Sequence, residues 1–146
     1  MAKTKEIERL KKELAKKEDQ LRFFITALDN LPNAVFIKNE KAEFVFFNRK
    51  YEEIFGMDRN VFVGKRVLDL EYLPEEDRER YQKEDINLIE TSSILTYEVD
   101  FMFSDNKIHP SLYWSRGFRK EDEVKGLIGE IVDITKYSQQ KENTES

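Results

Sequence analysis

The 146-residue chain has no cysteine and a single histidine, His109, with only three prolines and five glycines. Without cysteine there is no disulfide scaffold, no thiolate zinc site and no thiol nucleophile. One imidazole excludes a metal site built from several histidines. Long apolar runs are missing as well. The longest, at residues 34–37 and 44–47, reach about four residues, against the ~20 that a membrane span takes. The N-terminus also lacks the apolar core of a signal peptide. These absences lead to the expectation of a soluble, cytoplasmic chain with no membrane span, and the length suits one domain with an appendage.

What is present is unevenly placed. The chain carries 25 Lys/Arg against 30 Asp/Glu, a net of −5. Residues 3–22 hold eight basic and five acidic side chains, a surplus of three positive charges, which leaves the remainder at −8. In this basic stretch Ile7, Leu10, Leu14, Leu21, Phe24 and Leu28, followed by Leu31, fall on heptad positions a and d; Lys17 interrupts the seam once. No glycine or proline occurs before Pro32, so residues 1–30 are expected to form an amphipathic helix. In a parallel pair Glu6 would meet Lys11 favourably, while Glu13 would meet Glu18 unfavourably. Two readings follow: a homodimeric coiled coil, or a solvated helix whose stripe packs on its own domain. Acids interleave Lys11-Lys12 and Lys16-Lys17, which argues for a solvated flank and against nucleic acid as a partner.

After Leu31-Pro32-Asn33 the period changes. Residues 34–38 and 43–48 read as strand, turn and strand. A helix follows through Tyr51, Ile54 and Phe55 to a stop at Gly56, then an irregular stretch broken by Gly64. Pro74 with Glu75, Glu76 and Asp77 marks a helix start, because carboxylates suit the positive end of the dipole; the helix should run to about Thr91. Three extended runs close the chain. In the first, Tyr97, Val99, Phe101 and Phe103 alternate with Glu98, Asp100 and Met102, before a hairpin turn at Asp105-Asn106. Strands split around a helical block predict an α+β fold, a five-stranded antiparallel sheet with helices on one face.

That order, with Phe44-Val-Phe-Phe-Asn-Arg49 leading to Tyr51 and Phe55-Gly56, Val63-Gly64-Lys65, Pro74-Glu-Glu-Asp-Arg78 and the ending Gly126-Leu-Ile-Gly-Glu-Ile-Val-Asp-Ile-Thr135, resembles a PAS sensor domain. The expected division is a helix at 1–30, a PAS domain at 31–137 and a polar tail or linker at 138–146. The resemblance implies a cup in which the sheet faces small helices across a pocket. Two departures stand out: Ala42 where the family usually has glycine in the first hairpin, and Asp105-Asn106 where Asp-Gly is commoner. Light-sensing members need a cysteine where this chain has Val67, so a thiol–flavin adduct is excluded. The side chains that hold a flavin ring in that subgroup fall on Phe101, Ser111 and Ile131, of which only Ser111 hydrogen-bonds. Haem-binding members carry an axial histidine on the long helix, here residues 74–91, which has none. No resident cofactor or metal is therefore expected, and His109 reads as a partly exposed strand-end residue.

On the PAS pattern the inward side chains are Phe36, Phe46, Tyr97, Val99, Phe101, Ser111, Tyr113, Ser115 and Ile131, closed by Tyr51, Phe55, Val67, Tyr81, Asp85 and Leu88. The chain has 18 aromatics, 11 Phe, 6 Tyr and 1 Trp, enough to fill the cup as core. The polar members equally suit a small-ligand pocket. A carboxylate ligand would call for a buried base; Lys38 and Arg116 lie on strands, but the alternation alone gives neither a settled inward orientation. On the other face Leu112, Trp114, Ile128, Val132 and Ile134 would need a cover, and Leu21, Phe24, Ile25 and Leu28 are suited to it, in cis or from a partner. In the family Asp133 and Thr135 stand at the signal exit, where they pair with a base or cap an outgoing helix. The expected function is a non-catalytic sensory and dimerisation module of a bacterial-type signalling protein, with its effector C-terminal or on a separate chain. A ligand-free dimer scaffold is the alternative. A small enzyme using Asp85 and Tyr81 has the least support, because no nucleophile–base spacing appears.

Overall fold

Residues 1–121 and 124–138 are described in the computed structural model; of the expected tail at 138–146 only Ser138 is among them. The elements are α1 (Ala2–Asp29), β1 (Ala34–Lys38), β2 (Phe44–Phe47), α2 (Arg49–Phe55), α3 (Arg59–Phe62), a 3-10 turn (Val67–Asp69), α4 (Glu75–Thr91), β3 (Ile94–Met102), β4 (Ile108–Lys120) and β5 (Val124–Asp133). The strands form one antiparallel sheet in the order β2-β1-β5-β4-β3. Alternation therefore reads correctly into strands and the split order into an α+β sheet. The stretch expected to be irregular, residues 57–73, contains the short α3 and the 3-10 turn. The last strand ends at Asp133, and residues 135–138 are already helical.

Local chemistry sets the element ends. Gly56 takes a left-handed φ of 65° to stop α2, and Ser92 does the same after α4 at φ 50°. Ala42 sits fully buried at φ 61° in the first hairpin, a conformation that costs a residue with a Cβ ~1–2 kcal/mol. Asn106 turns the β3–β4 hairpin at φ 64°, as the tolerance of Asn for that region allows. Asn48, fully buried, caps α2 by accepting from the Tyr51 N–H and also accepts from the Val35 N–H. Its amide nitrogen donates to the carbonyls of Leu28 and Asn33. One side chain thus joins the end of α1, β1 and α2.

The core lies between the sheet and α2, the 3-10 turn and α4, built on Phe36, Phe44, Phe47, Tyr51, Leu88, Tyr113, Leu127 and Ile131. Here one expectation is corrected. Phe36 pairs with Phe47 and Ile37 with Phe46, but Lys38 pairs with Phe44, so β2 holds an extra residue. This bulge resets the alternation. Phe44 and Phe47 face the core, while Phe46 turns outward beneath the Arg59 guanidinium, 5.2 Å from its ring centre.

Helix α1 buries none of its residues. Of the four side chains expected to cover the sheet, in cis or from a partner, Leu21 and Phe24 are 60% and 61% exposed within the chain, while Ile25 and Leu28 are half-buried. Leu112, Trp114, Ile128, Val132 and Ile134 are nevertheless half-buried. Only the foot of α1 is fastened. Asp29 accepts from both terminal nitrogens of Arg59, at 2.7 and 3.0 Å, and from the Arg49 N–H at 2.9 Å. The Arg59 guanidinium holds the Asp29 carboxyl below the usual carboxylate range.

Candidate functional site

Two places in the domain gather chemistry: the inside of the cup and the point where β5 ends. The cup is closed by α4 resting directly on β4. At Gly117 a Cβ would lie 1.8 Å from the Leu88 carbonyl oxygen, so only glycine permits this approach. A Cβ at Gly129 would likewise strike the Phe36 ring at 2.2 Å. The Gly117–Leu88 approach seats α4 on the sheet, and Asp85, one turn before Leu88, is buried there.

Inside, Lys38 at the end of β1 pairs with Asp85. The two side chains are 4% and 3% exposed, and the bond runs from Lys38 Nζ to Asp85 Oδ2. Rings surround the ammonium, with the Phe44 centroid at 4.5 Å and that of Phe36 at 5.6 Å. Nζ carries three donors and Asp85 two acceptor oxygens. The ion pair uses one of each and leaves capacity on both.

Beside the pair is a cavity of about 50 Å³ lined by Phe36, Lys38, Phe44, Tyr51, Phe55, Val67, Leu70, Tyr72, Leu73, Tyr81, Asp85, Phe101, Tyr113 and Ile131. Burial pushes the phenols of Tyr51, Tyr72 and Tyr113 well up, so they stay neutral donors. The volume suits one or two waters or a ligand fragment of a few atoms. Phe55, Tyr72, Leu73, Tyr81 and Phe101 also wall an outer cleft of about 390 Å³. Displacing those side chains would join the two spaces into one of the size usual for small-molecule sites, ~300–1,000 Å³.

Nine of the side chains expected to point into the cup line this cavity: Phe36, Tyr51, Phe55, Val67, Tyr81, Asp85, Phe101, Tyr113 and Ile131. Five others do not. Phe46 is outside because of the bulge. Leu88 is buried in the core where α4 meets Gly117. Tyr97 donates to Glu84 Oε2 at 3.1 Å and leans on Tyr113, Val99 packs at the core edge, and Ser111 donates to the His109 carbonyl at 3.0 Å. Sequence reasoning missed Phe44, Leu70, Tyr72 and Leu73 and left Lys38 undecided. The signal for Lys38 was present: it lies two residues after Phe36 on one strand, hence on the same face. Arg116 is exposed on the other face.

At the end of β5, Asp133 Oδ1 accepts from the Thr135 N–H at 2.9 Å and from the Thr135 hydroxyl. Its Oδ2 meets His109 Nδ1 at 2.9 Å, and His109 Nε2 meets Asp105 Oδ2 at 2.8 Å. His109 is therefore a bridged residue, with a side chain only 17% exposed. Its partners lie 4 and 24 residues away, and only strand pairing brings the distant one close. No cluster of three or more potential metal ligands occurs among the described residues.

A five-stranded antiparallel sheet roofed by helices over a small, partly polar cavity defines a cup-shaped α+β domain. The chain belongs to the PAS family, whose PAS fold matches residues 22–134. It resembles the PAS domain of Bordetella pertussis BvgS at 18% identity, covering 87% of this chain and 95% of that one, with a TM-score of 0.69. The Vibrio cholerae VqmA dimer matches at 21% identity over 82% of this chain and 52% of its own, TM-score 0.64. A Colwellia psychrerythraea PAS domain matches at 22% identity over 80% and 98%, TM-score 0.60. Likeness at this level establishes the fold. No curated protein matches the chain. PAS domains are generally sensory or signalling modules and typically non-catalytic, and among the described residues no helix is long and apolar enough to cross a membrane.

Proposed function

We propose that this chain is a non-catalytic sensory and dimerisation module of a cytoplasmic bacterial-type signalling protein, such as a sensor kinase or a cyclic-dinucleotide enzyme. In this reading it binds a small polar ligand in the cup and passes the change to its effector through the flanking helices. The observation that carries it is the buried Lys38–Asp85 pair facing a cavity otherwise lined by aromatic and aliphatic side chains, since buried ionic groups are costly and here retain unused hydrogen-bonding capacity. A ligand offering both an acceptor and a donor would engage both partners without leaving a charge unpaired. A VqmA structure bound to DPO shares the fold, which supports reading this chain as a ligand binder. The alternative, a ligand-free scaffold, is favoured by the cavity's small volume.

Dimerisation rests on the apolar stripe of α1. Ile7, Leu10 and Leu14 are 49–58% exposed and continue into Leu21 and Phe24; a second copy is the partner that the heptad spacing suits. Two measurements test the proposal. Mass spectrometry under native conditions should show the purified protein carrying a small molecule, or a metabolite panel should raise its melting temperature; the bare polypeptide mass with an unchanged melting temperature overturns the ligand. Light scattering should give a dimer for the whole chain and a monomer for a version starting near Arg22. Monomers in both at tens of micromolar overturn the dimer.

A further inference from the structure

We propose that His109 is a proton-operated latch: as an imidazolium it ties the β3–β4 hairpin, through Asp105, to the exit of β5, through Asp133, and as a neutral ring it must release one of them. The geometry requires this choice. Each ring nitrogen faces a carboxylate oxygen, at 2.8 and 2.9 Å, and an ionised carboxylate only accepts. A neutral imidazole has one N–H and one lone pair, so one contact would set lone pair against oxyanion. Only the doubly protonated ring satisfies both. Phe103 fixes the ring plane by stacking on it at 4.1 Å and 11°, which keeps both nitrogens on their partners.

The latch acts on the last described turn because Asp133 has two roles. While Oδ2 faces His109, Oδ1 holds the Thr135 N–H, the first residue of the helical turn at 135–138. The other charged groups facing the ring are known. Lys50 and Glu53 of α2 line the cleft that His109, Asp105 and Asp133 share, and Lys107 lies on the hairpin, its N–H donating to Asp105 Oδ1 at 3.0 Å. The Thr135 hydroxyl is 3.5 Å from Nδ1.

Partial burial alone would lower the basicity of His109, but the hydrogen bonds to Asp105 and Asp133 outweigh it and raise the pKa above its ordinary value. The Lys107 N–H and His109 lower Asp105. Burial opposes the change at Asp133, yet the Thr135 and His109 hydrogen bonds lower that group too. For a raised base the contribution to stability is complete below the unfolded value, about 6.5, and is lost as pH rises through the folded value. For depressed carboxylates it is present above about 3.9 and lost as pH falls through theirs. The latch is therefore fully closed from about pH 4 to about 6.5 and opens as pH rises further, through the raised folded value of His109. The proton is the input, independent of whatever occupies the cup.

Because His109 is the only histidine of these 146 residues, its Cε1–H resonance in the whole chain reports it without assignment ambiguity. The expected result is a titration midpoint above 6.5 that moves down in both Asp133→Asn and Asp105→Asn. Protection of the Thr135 and Lys107 amides, with the intrinsic rise of exchange with pH divided out, should fall above that midpoint, and this fall should vanish in His109→Gln, whose circular dichroism confirms folding. A wild-type midpoint at or below 6.5, or protection of both amides unchanged while His109 titrates, overturns the latch.

Discussion

Lys38→Met lowers the stability of the domain by about 3–5 kcal/mol, because it leaves Asp85 buried without its partner. Asp85→Leu should cost about as much for the mirror reason. Taken together, Lys38→Met and Asp85→Leu should restore most of the loss, since a buried ion pair and a well-packed apolar pair are often close in free energy. The three variants and the wild type form a double-mutant cycle measurable by urea unfolding. Losses below about 1 kcal/mol in both single variants would mean that water reaches the pair and that its burial carries no penalty. The double variant has a second use: it keeps the fold while removing every ionic group from the cavity, so any ligand anchored there should cease to raise the melting temperature.

Gly117→Ala should destabilise by about 3 kcal/mol or more, at the upper end of overpacking effects. The added methyl would stand 1.8 Å from the Leu88 carbonyl oxygen and 2.5 Å from its carbonyl carbon. Those are backbone atoms of α4 and cannot rotate aside. Relief requires the helix to lift from the sheet, and Asp85 on the same helix would lift with it from Lys38. Gly56→Ala is the comparison: its Cβ meets nothing closer than 3.6 Å, and the left-handed φ of 65° alone penalises it by ~1–2 kcal/mol. Equal losses in the two variants would show that helix–sheet clearance is not what glycine provides at position 117.

Much of the architecture was legible because it depends on local periodicity. The heptad spacing of Ile7, Leu10, Leu14, Leu21 and Phe24 specifies a helix, and the alternation at Tyr97, Val99 and Phe101 specifies a strand with those side chains inward. Pro74 followed by three acids marks where α4 begins, at Glu75. The site was legible only where alternation continued without interruption. At β2 it did not: one extra residue sends Phe46 out and brings Phe44 and Phe47 in, and nothing in the run of three phenylalanines and a valine announces the bulge. Lys38 was readable from its strand position, but its partner was not, since Asp85 lies 47 residues away on a different element.

The sequence by itself determined what the domain cannot be and what its segments are. Lack of cysteine rules out the thiol adduct, the spacing of apolar residues selects helix or strand, and the closing Asp133-Ile134-Thr135 with its preceding strand points to the family. These properties belong to residue chemistry and to neighbours within a few positions. Tertiary structure decided which groups meet: Lys38 with Asp85, His109 with both Asp105 and Asp133, and the backbones of Gly117 and Leu88. It also decided that the apolar stripe of α1 stays exposed and that the cup retains only about 50 Å³. Those outcomes depend on registers and close approaches set between distant elements, where a single bulge or a missing Cβ changes which atoms share a space.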